Sequence, residues 1–384
     1  MDMKGISWIA ALALVVALLP MQAQAADLTV AGKSAVLMDV ATGSVMYEQN
    51  PHERLAPASV TKIMTMLLIM EAVDSGKIAL TDTVTASEAA AAKGGSQIYL
   101  KVGETMSVSD MLKSIAVSSA NDCACAMAEH IAGSEEAFVA MMNRRAQELG
   151  MTDTTFVNCT GLDDGAEAVN HRTSAYDIAL MSRELLKNHP QIKKYTTIWM
   201  DTVRNGTFGL SNTNKLIRFY QGATGLKTGF TSGAGYCLSA TALRDGMELI
   251  AVVMGAETSQ ARNAACKQLL DYGFANYAVV SPSLTETPAV PVRLGAQDSV
   301  SVRLGESGAV LVDKAQKSGI TEDISLEEST AAPVSQGQRL GTLTLRAGEQ
   351  VLRQIPLVAA EGVPRLTYGA LLRRVLMRAA MAAG

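Results

Sequence analysis

The sequence predicts an α+β protein: an antiparallel sheet flanked by helices, then a small all-β domain and a terminal amphipathic helix. Three observations carry that expectation. Hairpin-like alternation occurs near residues 34–48 and again near 235–254, on either side of a helical block. After Val280 the composition changes: Pro282, Pro288 and Pro291 cluster, and no aromatic residue occurs between Tyr277 and Tyr368. From Val363 onward the chain carries arginines, no acid, and apolar residues at helical spacing.

The elements follow in order. Lys4 precedes an apolar run, Ile6 to Leu19, closed by Pro20 and followed by Ala23-Gln24-Ala25. This reads as an export signal over 1–25, removed before Ala26; the run is short for a membrane span of about 20 residues. About 360 residues then remain, more than one core usually holds, so two domains are expected, 26–280 and 281–362. Ser34–Asp39 and Ser44–Glu48 flank Ala41-Thr42-Gly43 as a hairpin. Val60–Val73 is apolar on nearly every side and reads as a buried helix. Ser107 can N-cap a helix through about Val117, and a second helix spans Asp122–Ile131 and stops near Gly133. Ser119 and Asn121 then fall in the connection. Gly235–Leu243 and Met247–Met254 flank Asp245-Gly246, the sharpest hairpin signal in the chain. Lys227-Thr228-Gly229 lies just upstream, on the same strand or at its start. Ser259–Tyr272 reads as a helix ending at Gly273.

Beyond 280, Val300–Leu304 and Thr342–Arg346 alternate like strands, with glycine-rich turns between. In the segment 363–384, Tyr368, Leu371, Leu372, Val375 and Leu376 share one helical face, with Arg365, Arg373, Arg374 and Arg378 nearby. Such a helix can lie in a membrane interface, where anionic lipid adds roughly 1 kcal/mol per Arg. The other reading of this segment is a helix packed on the protein, or a disordered tail.

Composition excludes several functions. The net charge of -4 gives no sign of nucleic-acid binding. The five cysteines (Cys123, Cys125, Cys159, Cys237, Cys266) are odd in number, irregularly spaced and without C-x-x-C. They read as small buried hydrophobes, with one long-range disulfide left open. His52, His130, His171 and His189 lie outside any triad or zinc motif, so neither metal nor cofactor is expected.

Three motifs carry the chemistry: Ser59-Val-Thr-Lys62, Ser119-Ala-Asn121 and Lys227-Thr228-Gly229. A serine hydroxyl is a weak nucleophile until a base takes its proton. Ser59 and Lys62 are three apart and neighbours on a helix. A lysine becomes a base when burial and a nearby cation lower its pKa. Ile63, Met64 and Met66 supply burial, and Lys227 the cation. Ser119 can relay protons between Lys62 and a leaving amine, and Asn121 can hold Lys62 and the substrate backbone. Ser59 near a helix N-terminus also has free N–H groups for a developing oxyanion. A serine before an apolar helix is often only a cap, but a lysine inside an apolar turn is not so explained.

With these motifs the chain resembles the D-alanyl-D-alanine carboxypeptidases of the low-molecular-mass penicillin-binding proteins, over nearly all its length. Leu55-Ala-Pro-Ala-Ser-Val-Thr-Lys62, Phe156-Val-Asn158, Gly161-Leu162, His171-Arg-Thr-Ser-Ala-Tyr-Asp177 and Lys227-Thr-Gly-Phe-Thr231 carry the resemblance. It implies a serine β-lactamase/penicillin-binding transpeptidase-like catalytic domain. It implies that Ser59 is acylated, that Lys62 is its base, and that Ser119 and Asn121 complete the catalytic set. Lys227, Thr228 and Gly229, with Phe230 and Arg262, would bind substrate: the first two its terminal carboxylate, the Ser59 and Phe230 N–H groups its oxyanion. His171 also matches a family position, and is read as ordering a loop and not as doing chemistry. Implied partners are peptidoglycan stem peptides ending in D-Ala-D-Ala, β-lactams, and the outer face of the cytoplasmic membrane through the terminal helix. Two rivals share the motifs. A class A-like β-lactamase would add a glutamate, but Glu167 and Asn170 stand one residue too close. A non-catalytic penicillin or wall-fragment sensor would have lost a motif residue, and none is lost.

Overall fold

A five-stranded antiparallel sheet, in the order β2-β1-β5-β4-β3, organises the first part of the molecule. Its strands are β1 (Ser34–Asp39), β2 (Val45–Gln49), β3 (Ala223–Thr231), β4 (Gly235–Arg244) and β5 (Met247–Ala256). The computed structural model describes residues 28–284 and 288–382, so the expected export segment lies outside the described residues. From Ala31 onward the chain forms one compact unit. The sheet joins the two ends of the expected catalytic region: β1 pairs with β5, Val36 opposite Val252. All six residues of β1 are buried, since helices cover both faces of the sheet.

On one face Val36, Met38, Ile250 and Val252 enter a core shared with the helical block. On the other lies the helix Ser259–Asn276. This helix runs through Gly273 instead of stopping there. A Cβ at Gly273 would meet Leu249 Cδ1 at 2.5 Å and Leu37 Cδ2 at 3.1 Å. The glycine therefore serves close helix–sheet packing and not termination.

The helical block follows the sequence closely. Lys62–Asp74 is buried from Lys62 through Met70, on all sides, and is preceded by a 3-10 turn, Ala58–Thr61. Ser107 caps Val108–Ser118 by accepting from the Asp110 N–H at 3.0 Å. Ser119 ends that helix with φ +63°, and Asn121 opens the next, Asn121–Ala132, instead of lying between them. Gly133 closes it at φ +85°. Asp245 and Gly246 take φ +50° and +78°, the two positive values that a tight hairpin demands. Lys227-Thr228-Gly229 sits on a strand of its own, the edge strand β3, and not on the strand beginning at Gly235.

A six-stranded sheet follows, built from strands between Ala289 and Ala359 around Val290, Val300, Leu343, Leu345, Ile355 and Leu357. Tyr277–Val280 pairs with Val310–Asp313, tying the chain ahead of residue 281 to the β-rich part. Val363 and Arg365 bridge to Val334 and Gly295, and the terminal helix runs Tyr368–Ala382. Tyr368, Leu372 and Leu376 on it are exposed. The Arg374, Val375 and Arg378 side chains lie outside the described residues. All five cysteines are free and buried.

Gly273→Ala should lower unfolding free energy by about 1–3 kcal/mol through overpacking. That outweighs the ~1 kcal/mol by which alanine is the better helix former. Urea unfolding checks it; unchanged or higher stability would contradict the packing role.

Candidate active site

Ser59 lies half-buried in the 3-10 turn, and Lys62 opens the helix that follows. Lys62 Nζ donates to Ser59 Oγ at 2.9 Å and to the Thr160 carbonyl at 2.7 Å. Its side chain is fully buried and makes no ion pair among the described residues. Burial pulls its pKa down to about 7, against weaker opposing pulls from Cys159 and Asp122. An amine in that state is partly neutral near pH 7 and can accept a proton from the hydroxyl it touches.

Two buried polar atoms of the second motif, Ser119 Oγ and Asn121 Oδ1, have no hydrogen-bond partner among the described residues. Buried polar groups are rarely left so, and an acceptor and a hydroxyl held open together suit an incoming ligand. The Asn121 amide nitrogen donates to the Gly94 carbonyl at 2.7 Å and not, as the sequence suggested, towards Lys62; the Thr160 carbonyl holds the amine instead. Gly95 sits between that amide and Leu162: a Cβ there would lie 2.8 Å from Asn121 Nδ2.

The third motif is pressed against the first. A Cβ at Gly229 would fall 2.7 Å from the Pro57 carbonyl and 3.1 Å from Ala58 Cβ and Val60 Cγ2. Only glycine lets the strand approach the Ser59 turn so closely. Thr228 Oγ1 donates to Thr213 Oγ1 at 2.7 Å, and the Thr213 N–H donates to the Val117 carbonyl, just ahead of Ser119. Thr213 thus links the second and third motifs.

Lys227 is buried, and among the described residues its Nζ donates only to the Thr228 carbonyl, at 2.9 Å. Burial holds its pKa well below the usual lysine value, and the charges of Lys62 and Arg262 push the same way. Arg262, 5% exposed, bonds Asn263 Oδ1 and the Cys237 carbonyl and lies 5.8 Å from the Tyr236 ring centroid. Burial lowers its pKa too. Lys62, Lys227 and Arg262 are therefore three buried basic groups with no carboxylate partner among the described residues. Such a cluster is costly alone and favours an anion. Phe230 is 54% exposed and stacks on Tyr236 at 4.2 Å. Glu167 is exposed, on the turn Ala166–Asn170.

Sequence reasoning missed the Thr160 carbonyl and Thr213. A backbone carbonyl leaves no mark in residue type, and Thr213 lies in an otherwise unremarked loop.

The model of the D-alanyl-D-alanine carboxypeptidase family matches residues 20–258. The chain belongs to this family. The carboxypeptidase match is followed by one to the penicillin-binding protein 5 C-terminal domain over 285–365. The D-alanyl-D-alanine carboxypeptidase DacF of Bacillus subtilis is 45% identical over 350 residues, 90% of this chain and 89% of its own length. The structure of penicillin binding protein 5 from Haemophilus influenzae superposes with a TM-score of 0.74 at 30% identity, over 88% of this chain and 99% of that one. Penicillin-binding protein D2 from Listeria monocytogenes, in its ampicillin-bound form, covers 65% of this chain and all of its own (100%), with a TM-score of 0.59 at 32% identity.

Gly229→Val should drive β3 from the Ser59 turn and slow labelling of Ser59 by penicillin by about 100-fold, as expected for a misplacement near 1 Å. Single-turnover labelling of the folded variant checks this; a parental rate would show that the close approach is dispensable.

Proposed function

We propose that this chain is a serine-type D-Ala-D-Ala carboxypeptidase that removes the terminal D-alanine from peptidoglycan pentapeptide stems through an acyl-enzyme on Ser59. The observation that carries the reading is a buried amine, without a carboxylate partner among the described residues, 2.9 Å from a serine hydroxyl.

In this reading the substrate's terminal carboxylate binds at Lys227, Thr228 and Arg262, and an anion there favours the charged form of Lys227. A requirement for that carboxylate explains exopeptidase action. Neutral Lys62 takes the Ser59 proton as Oγ attacks the penultimate carbonyl carbon. The Ser59 and Phe230 N–H groups receive the oxyanion. As the peptide bond breaks, Ser119 relays the proton from Lys62 to the departing D-alanine amine, while Asn121 Oδ1 holds the substrate backbone. Water then cleaves the ester and restores the serine. β-Lactams present a similar carboxylate beside a strained amide and acylate the same hydroxyl.

A class A β-lactamase positions a glutamate on its deacylating water, and Glu167 instead faces solvent on the turn Ala166–Asn170, which speaks against that reading. The intact motifs speak against a sensor. The substrate implies a cell-wall-space location, on the outer face of the cytoplasmic membrane. The expected export signal over 1–25 would deliver the chain there. Exposed Tyr368, Leu372 and Leu376, four residues apart, support a membrane-lying terminal helix. No helix among the described residues is long and apolar enough to cross a membrane.

Incubation with a peptide ending in D-Ala-D-Ala should release D-alanine, and labelled penicillin should leave a long-lived adduct on Ser59. Rapid penicillin turnover without D-alanine release would instead mark a β-lactamase, and labelling without turnover of either a sensor. Deletion from Tyr368 onward should abolish co-sedimentation with anionic vesicles at unchanged kcat/KM. Continued sedimentation would refute the anchor.

A further inference from the structure

A hydrogen-bonded chain runs behind the Ser59 turn, through groups that lie outside the reacting set. His171 is 3% exposed, and its Nδ1 accepts the Val157 backbone N–H at 3.1 Å. A backbone amide only donates, so Nδ1 is bare and the neutral ring carries its proton on Nε2. Burial, then the charges of Arg172 and Lys62, push this imidazole down to about 4, so it stays neutral at pH 7. Nε2 lies 2.7 Å from Thr61 Oγ1. Thr61 Oγ1 lies 2.8 Å from the Ala58 carbonyl, which only accepts. The hydroxyl proton therefore points to Ala58, and its lone pair faces His171. Every proton in the chain has one place: Val157 to His171, His171 to Thr61, Thr61 to Ala58.

The end point of the chain matters. Ala58 immediately precedes Ser59 and is held at φ +49°, a conformation that strains a non-glycine residue. Gly161 walls the same carbonyl: a Cβ there would lie 1.8 Å from Ala58 O. Thr61 immediately precedes Lys62. The chain thus grips the residue before each member of the reacting pair. The His171 backbone is secured separately, since Arg172 pairs with Thr155 and Thr173 with Leu55. The imidazole is therefore not what holds this segment in place.

We propose that His171 is a positioning residue, acting through Thr61 to hold the turn at Ala58 and keep Ser59 Oγ aligned with Lys62 Nζ. This rests on Ser59 being the acylated residue.

The test uses the full-length protein and labelled penicillin in stopped flow, separating the acylation rate constant from the binding constant. The variants are His171→Asn, His171→Gln, Thr61→Val and Thr61→Ser. Asn keeps an acceptor for Val157 but not the donor to Thr61; the longer Gln amide restores a donor near Nε2. H171N and T61V should each slow acylation by about 10- to 100-fold, with binding changed by less than about threefold. The double variant H171N/T61V should be no slower than either alone, since both cut one chain. H171Q and T61S should recover most of the lost rate. With the parent labelled on Ser59, an H171N rate within about twofold of parental overturns the proposal alone. So does a loss confined to the binding constant, or multiplicative effects in the double variant. A parent labelled elsewhere overturns the functional reading, and this proposal with it.

Discussion

The site is organised by the burial of a lysine amine that makes no ion pair among the described residues. Water is removed from Lys62, and what replaces it is a serine hydroxyl and one backbone carbonyl. A carboxylate in that position would keep the amine charged and useless as a base. The surroundings are arranged to prevent this. The helix Lys62–Asp74 is buried on every side through Met70, and that burial is what lowers the Lys62 pKa, where the sequence had suggested help from the Lys227 charge. In the proposed mechanism the same burial serves two purposes: it readies Lys62 as a base, and it sets Lys227 and Arg262 to meet a peptide's free carboxylate.

Geometry at this site is held by close backbone contacts. Gly229 brings the edge strand against Pro57 and Ala58; Gly161 closes on Ala58 from another side. Two of the three motifs have a non-glycine residue at positive φ at or next to their serine, Ala58 beside Ser59 and Ser119 itself. Strain of this kind persists where surrounding structure over-determines it. Here the determining elements are far apart in sequence: the strand after Ala223, the loop around Thr160, and the bridge between Leu55 and Thr173. The sheet that pairs Ser34–Asp39 with Met247–Ala256 is what brings them together.

Much of this was legible beforehand because the signals were local. Ser107 as a cap, Asp245-Gly246 as a hairpin turn and the uniformly apolar helix after Val60 each follow from a few adjacent residues. The three motifs predicted a common site, and contacts through Gly229 and Thr213 join them. What escaped prediction depends on tertiary partners. Gly273 looks like a helix stop until Leu37 and Leu249 are seen beneath it. Lys227-Thr228-Gly229 could not be assigned a strand of its own without its pairing to β4. The Asn121 amide was expected to hold Lys62, and a carbonyl at Thr160, invisible as a residue type, does so.

The proposed acylation depends most directly on the charge state of one amine, and pH reads it. The second-order rate of Ser59 acylation by labelled penicillin, measured under single-turnover conditions, reports groups that titrate in the free enzyme. Lys62 is inactive when protonated and active when neutral, so the rate should rise with pH along a single-proton limb centred near 7 and then level. A rate independent of pH from about 5 to 9, or a limb near the ordinary lysine value of about 10.4, would show that Lys62 is not the base.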